Sequence, residues 1–188
     1  MNQNILEQYK EKITPLIAAI LNKHQKSFVW APTFLGDNSD EAKERERVAF
    51  EERQIKMKEG DIAQIMIGNW IGFEDLGIGH KTGVDCRKLD NSMILEIKNK
   101  HNTCNSGSAK TVCDKLSRYK LENPNTHCIW GIINPKSSVS GDRKVLEHNG
   151  VKILKLQGDE LFKRIFVLNE YNYTNEVANI VRKLMYGE

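Results

Sequence analysis

GVDCRKLDNSMILEIKNK, residues 83–100, holds two runs of strand-forming residues on either side of a turn. Gly83 to Leu89 reads as one strand and Ser92 to Asn99 as the next, with Asp90-Asn91 supplying turn residues, so a hairpin is the simplest arrangement. Side chains alternate along a strand. Glu96, Lys98 and Lys100 therefore share one face, and Ile97 and Asn99 the other. A tight turn brings Asp85 towards the first of these faces. Two carboxylates and an ammonium then surround a gap the size of a metal ion.

Working outward, HNTCNSGS is a polar loop after the second strand, with Ser106 or Ser108 as a helix cap. A helix from about Ala109 to Leu121 places Val112, Leu116 and Tyr119 on one side, and Pro124 helps to stop it. HCIWGIIN has the continuous apolar character of a buried strand, VKILKLQ is another strand, GDELFKRIFVL opens a helix and TNEVANIVRKLMYG is a last amphipathic one. On the N-terminal side, GFEDLGIGHKTG reads as a glycine-rich loop. A helix of about Asp40 to Trp70 precedes it, with Val48, Ile55, Ile62, Ile65 and Met66 as its apolar stripe and a bend or close approach at Gly60. Ile5 to Lys23 is helical in spacing, kinked or split at Pro15, and SFVWAPTFLGDNSD is an irregular connection.

These elements imply an α/β fold, a small mixed central sheet flanked by helices. The expected organisation is a single domain over 1–188. It comprises an N-terminal helical segment and loop (1–40), a catalytic core (41–170) and a C-terminal helix (171–188). The 188 residues, 39% hydrophobic and 28% charged, suit one core of ordinary size. No apolar run is long enough for a membrane span, and the N-terminus has no secretory pattern, so a cytoplasmic protein without a membrane partner is expected.

Cys86, Cys104, Cys113 and Cys128 form no C-x-x-C pair and read as small buried hydrophobes. A zinc set of His101, Cys104, Cys113 and Cys128 fits no usual spacing. The net charge of +3 is modest, but Lys98, Lys100, His101, Lys110, Lys115, Arg118 and Lys120 crowd into one stretch. Such a stretch suits a phosphate-rich partner, although basic runs also serve as ordinary solvated faces.

Phosphodiester hydrolysis needs an activated water, neutralisation of charge on the phosphate and help for the leaving oxygen. Divalent magnesium supplies all three where hard oxygen ligands leave positions open. Asp85 and Glu96 are such ligands. Lys98 beside them can orient the water and stabilise phosphate charge. Taken alone, D-x10-E-x-K is a weak pattern, equally at home on an amphipathic strand. Its setting strengthens it: a glycine-rich approach, the apolar Met93-Ile94-Leu95 before the acid, and a basic segment after.

Val84-Asp85 followed by Glu96-Ile97-Lys98 resembles the PD-(D/E)XK nuclease superfamily, with Val84 where that name has proline. Residues 50 to 135, through FEERQIKMKEGDIAQIMIGNW, GVDCRK, LEIKNKHNTCNSGSAK and IWGIINPK, resemble type II restriction endonucleases that cut GGNCC. The resemblance implies a restriction-endonuclease-like core, Asp85 and Glu96 as Mg2+ ligands, and Lys98 as the catalytic lysine. It also implies an accessory acid on the preceding long helix. Asp61, in Lys58-Glu59-Gly60-Asp61-Ile62-Ala63-Gln64, is the choice, with Glu59 and Glu52 as competitors.

Gln64 lies one turn from Asp61 and would share its face as a DNA contact. His101, Asn102, Thr103, Asn105, Ser106 and Ser108, with Lys100 and Lys110, form the expected DNA-binding set, able to touch phosphates or base edges. Lys115, Arg118 and Lys120 read as further phosphate contacts, and Trp30, Trp70 and Trp130 as core or interface aromatics. The expected partner is double-stranded DNA, cut at a short near-palindromic site by a homodimer. A companion methyltransferase in the host is implied, without a stable complex. The alternatives are a repair or junction-resolving nuclease with the same core, and a DNA-binding module without activity.

Overall fold

The computed structural model describes residues 2–31, 36–77, 79–100, 106–135 and 143–187. The chain opens with helix α1 (Asn2–Lys23), which continues through Pro15 without splitting. Tyr9, Ile13, Ile17 and Ile20 lie on one stripe spanning both sides of the proline, and all are buried. Burying each is worth roughly 1.5–3 kcal/mol, which outweighs the roughly 3 kcal/mol that an internal proline costs. Continuity of the buried face keeps the helix whole.

Helix α2 (Asp40–Gly68) starts where Ser39 Oγ accepts from the Ala42 amide at 3.2 Å. Asp40 and Glu41 sit in its positive first turn. Ile62, Ala63 and Ile67 are buried, but Val48 and Ile55, expected on the same apolar stripe, are 42% and 50% exposed. The sheet beneath is shorter than the helix, so only the C-terminal half of α2 has a core to cover. Gly60 marks a close approach: a Cβ there would stand 3.4 Å from the Asn99 side chain.

Six strands follow in one sheet: β1 (Phe73–Asp75), β2 (Cys86–Lys88), β3 (Met93–Lys100), β4 (His127–Asn134), β5 (Arg143–His148) and β6 (Val151–Gln157), in the order β1-β2-β3-β4-β6-β5. The β2–β3 hairpin is antiparallel with Cys86 opposite Leu95, and Asn91 takes the positive φ of 56° that its turn requires. Helix α3 (Ser106–Glu122) carries the chain to β4, which runs parallel to β3. Helix α4 (Asp159–Ile165), the small β7–β8 hairpin (Val167–Leu168, Tyr171–Asn172) and helix α5 (Thr174–Tyr186) complete the chain. The FED of the expected glycine-rich loop is strand β1.

The sheet separates two cores. On one side Leu95, Ile97, Ile129 and Leu156 pack beneath α1, α2, α4 and α5. Here Trp70 meets the rings of Tyr9, Phe166 and Tyr173 at 5.1, 5.3 and 5.6 Å. On the other side Ile94, Trp130, Ile132 and Ile153 pack beneath Val112, Leu116 and Tyr119 of α3. The molecule is thus a three-layered α/β fold with helices flanking a mixed sheet, in agreement with the architecture expected from the sequence. No helix among the described residues is long and apolar enough to cross a membrane.

Candidate active site

Asp85 stands immediately before β2, where two strands grip its backbone. Its amide donates to the Leu95 carbonyl at 3.1 Å and its carbonyl accepts from the Leu76 amide at 2.9 Å. Its Oδ2 accepts from the Ile97 amide at 2.6 Å, which fixes the carboxylate beside the segment of β3 bearing Glu96 and Lys98. Since Leu95 and Ile97 belong to the core beneath α2, alternation sends Glu96 and Lys98 to the α3 face.

Glu96 is 1% exposed, an extreme position for a carboxylate. Its Oε1 accepts from Lys98 Nζ at 2.7 Å and from Lys115 Nζ, on α3, at 3.1 Å. Its Oε2 is buried with no hydrogen-bond partner among the described residues. Burial first, and then the charge of Glu96, push the Asp85 carboxyl up to about 6. The Ile97 amide and the two ammonium groups only partly oppose this. A carboxyl pushed up by a neighbouring acid, beside an orphaned buried oxygen, marks a local deficit that the two ammonium groups do not fully meet, although the four charges balance.

A hard divalent cation fits that deficit, with Asp85 and Glu96 as the donors that could hold it. No cluster of three or more carboxylate, His or Cys ligands occurs among the described residues. Magnesium tolerates such a sparse protein shell, because it commonly takes one or two carboxylates and completes its octahedron with water and phosphate oxygens.

The other expected residues are dispersed. Asp61 is not joined to this group: its Oδ2 binds Lys23 Nζ at 2.8 Å and His24 Nε2 at 3.0 Å, both at the end of α1. Burial would raise its pKa, but those two hydrogen bonds prevail and hold it below the ordinary value. The reason is topological, since α2 covers the Leu95–Ile97 face while Glu96 and Lys98 project from the other. Glu52 pairs with Lys56 in solvent at 3.2 Å, and Glu59 is half-buried on α2. Gln64 donates to Asp75 Oδ1 at 3.1 Å, tying α2 to β1.

Lys100 ends β3, Ser106 begins α3, Ser108 is half-buried and Lys110 is exposed one turn further along the helix. His101, Asn102, Thr103 and Asn105, with Cys104, lie outside the described residues. Lys120, expected among the phosphate contacts, is engaged instead with the backbone oxygens of Pro124 and Thr126. Trp70 and Trp130 are buried core residues, 1% and 4% exposed. Cys86, Cys113 and Cys128 are buried.

Lys115 is the member of the group at Glu96 that sequence reasoning underrated, placing it among the phosphate contacts. The available signal was its place one residue before Leu116, on the flank of the stripe that packs onto the strand bearing Glu96.

Comparison with known proteins finds restriction enzymes. A stretch of 87 residues, 46% of the chain, is 32% identical to the type II restriction enzyme Sau96I of Staphylococcus aureus, and the match spans 33% of that relative's length. The model of the Eco47II restriction endonuclease family matches residues 34–173, which include every strand of the sheet and the whole Asp85–Glu96–Lys98 group. With well over half of its length matched, the chain belongs to the Eco47II restriction endonuclease family.

Proposed function

We propose that this chain is a type II restriction endonuclease that hydrolyses both strands of DNA at a short near-palindromic site, with Mg2+ at Asp85 and Glu96. The observation that carries this reading is the buried Glu96 carboxylate, with one oxygen orphaned and Asp85 destabilised beside it. When bound there, the ion supplies Lewis acidity and lowers the pKa of a coordinated water.

The protein's own groups do the rest. Asp85 and Glu96 present oxygens from two strands fixed by backbone hydrogen bonds, so little reorganisation is needed. The Lys98 side chain is 30% exposed, with its Nζ on the Glu96 carboxylate. From there it can donate to a phosphate oxygen and hold the attacking water. Lys110, Ser108 and the residues of the loop before α3 supply the DNA contacts. A homodimer matches the symmetry of a palindrome, each subunit cutting one strand. Asp61 stands apart from the catalytic set, as a link between α1 and α2.

Incubating the purified protein with plasmid and Mg2+, then sequencing the ends, tests the reading. Discrete fragments sharing one end sequence are expected. Nicking confined to branched DNA would reassign the chain to junction resolution, and absence of metal-dependent cleavage of any DNA would overturn the enzymatic reading. Asp85→Ala and Lys98→Ala are expected to lose cutting by roughly a thousandfold or more, while both stay folded and retain DNA binding in a gel-shift assay. Near-normal cutting by either variant would show that the group is misassigned.

A further inference from the structure

Lys98 alone would complete the acid–acid–lysine pattern, yet two ammonium groups meet at one oxygen. Glu96 Oε1 receives Lys98 Nζ at 2.7 Å and Lys115 Nζ at 3.1 Å. With Asp85 and Glu96 ionised, the four groups sum to zero charge before any divalent ion arrives. A cation entering between the carboxylates therefore meets a neutral cluster, and one ammonium has to yield.

The two lysines differ in how they are held. Lys98 lies on β3 itself, two residues from Glu96 on the same strand face, so it is tethered to the strand that carries its partner. Lys115 reaches across from α3, its stem passing over Gly83: a Cβ at that residue would lie 3.5 Å from Lys115 Cε and 3.7 Å from Cδ. Gly83, at φ +69°, has no side chain to restrain it. The same lysine lines a surface groove with Lys81, Thr82, Arg118, Tyr119 and Glu122. Lys115 thus has a second place to go.

We propose that Lys115 is a place-holding cation that occupies Glu96 in the resting site and competes with the divalent ion for it, moving aside into the adjoining groove when the ion binds. It is a positioning residue that acts through Glu96. Its consequence is that the metal affinity of the free protein is held down, so that the ion gains its full hold only once DNA brings further negative charge. This inference rests on the metal-dependent reading above.

The test is titration of the purified protein with Mn2+, without DNA, followed by the electron paramagnetic resonance of free Mn2+. Lys115→Met keeps the apolar stem and removes the charge, and is expected to bind Mn2+ about tenfold more tightly than the unmodified protein. Lys115→Arg keeps the competing charge and should return affinity to near the unmodified value. Lys152→Met, an exposed change on β6, controls for net charge and should leave affinity unaltered. Circular dichroism checks that each variant is folded.

Unchanged or weaker binding by Lys115→Met, with binding lost in Asp85→Asn, would overturn the role of Lys115 and leave the metal site standing. An equal gain in Lys152→Met would reduce the effect to overall charge and would equally overturn it. No Mn2+ binding by the unmodified protein or Lys115→Met would overturn this inference together with the reading on which it rests.

Discussion

On the proposed function Asp85 meets opposing demands: its carboxyl would have to be ionised to act as a ligand, yet burial and Glu96 push it up from its ordinary 3.8 to about 6. Between those values the folded protein retains a proton that the unfolded chain has released. Stability of the metal-free protein therefore falls as pH rises from about 4 to about 6, and is level above that. Asp85→Asn removes the ionisation. The variant should be more stable than the unmodified protein by about 1–3 kcal/mol at pH 7.5 and indistinguishable from it at pH 4. Urea unfolding in the presence of a chelator measures this. An equal difference at both pH values would show that Asp85 is not raised. Cleavage at limiting Mg2+, by contrast, should decline as pH falls, because a protonated Asp85 is a poor ligand and proton and metal compete for it.

Among the elements, α2 and β1 approach each other closely. A Cβ at Gly68 would stand 2.6 Å from Asp75 Cβ and 2.8 Å from its Cα, so backbone and not a movable side chain blocks it. Gly68→Ala should cost about 1–3 kcal/mol in urea unfolding; a change below about 0.5 kcal/mol would mean that helix and strand are less closely apposed. This contact also shows why β1 escaped the sequence. Phe73–Asp75 is three residues long within a glycine-rich context and gains its strand conformation from β2 beside it and α2 above it. β5 was missed for a related reason: Arg143–His148 is an exposed edge strand with little apolar alternation. By contrast, β3, β4 and β6 carry their burial in their own residues, and α3 and α5 in their own periodicity. Those elements were legible.

For the whole molecule, the net charge of +3 is too small to hold DNA by a general field. Affinity should rest on a few local cations, Lys81, Lys110 and Arg118 among them. Fluorescence anisotropy with duplex DNA should therefore show log affinity falling with log salt at a slope of about −3 to −6. A flat response would exclude phosphate contacts as the basis of binding. The acids and lysine of β3 were readable because strand alternation is a local rule. The partners of Lys115 and Asp61 were not readable, because a helical charge reveals neither which side of a sheet its helix covers nor which neighbour it meets. Asp61 looked equivalent to a site residue in sequence, yet the topology assigns it to Lys23 and His24.

Asn99 adds a last consequence. Its side chain binds the Lys56 carbonyl of α2 and accepts from Asn134 Nδ2 at 2.6 Å, on the face opposite Lys98. Along residues 95–99, then, adjacent codons answer to different selections. Substitutions at 95, 97 and 99 should lower soluble yield and leave the surviving protein competent, whereas those at 96 and 98 should spare yield and erase cutting. A saturation library over these five positions, scored separately for abundance and for nuclease toxicity in cells, should give two profiles half a period out of step. On the proposed function, such a chain would lose its toxicity in a single mutational step without losing its fold.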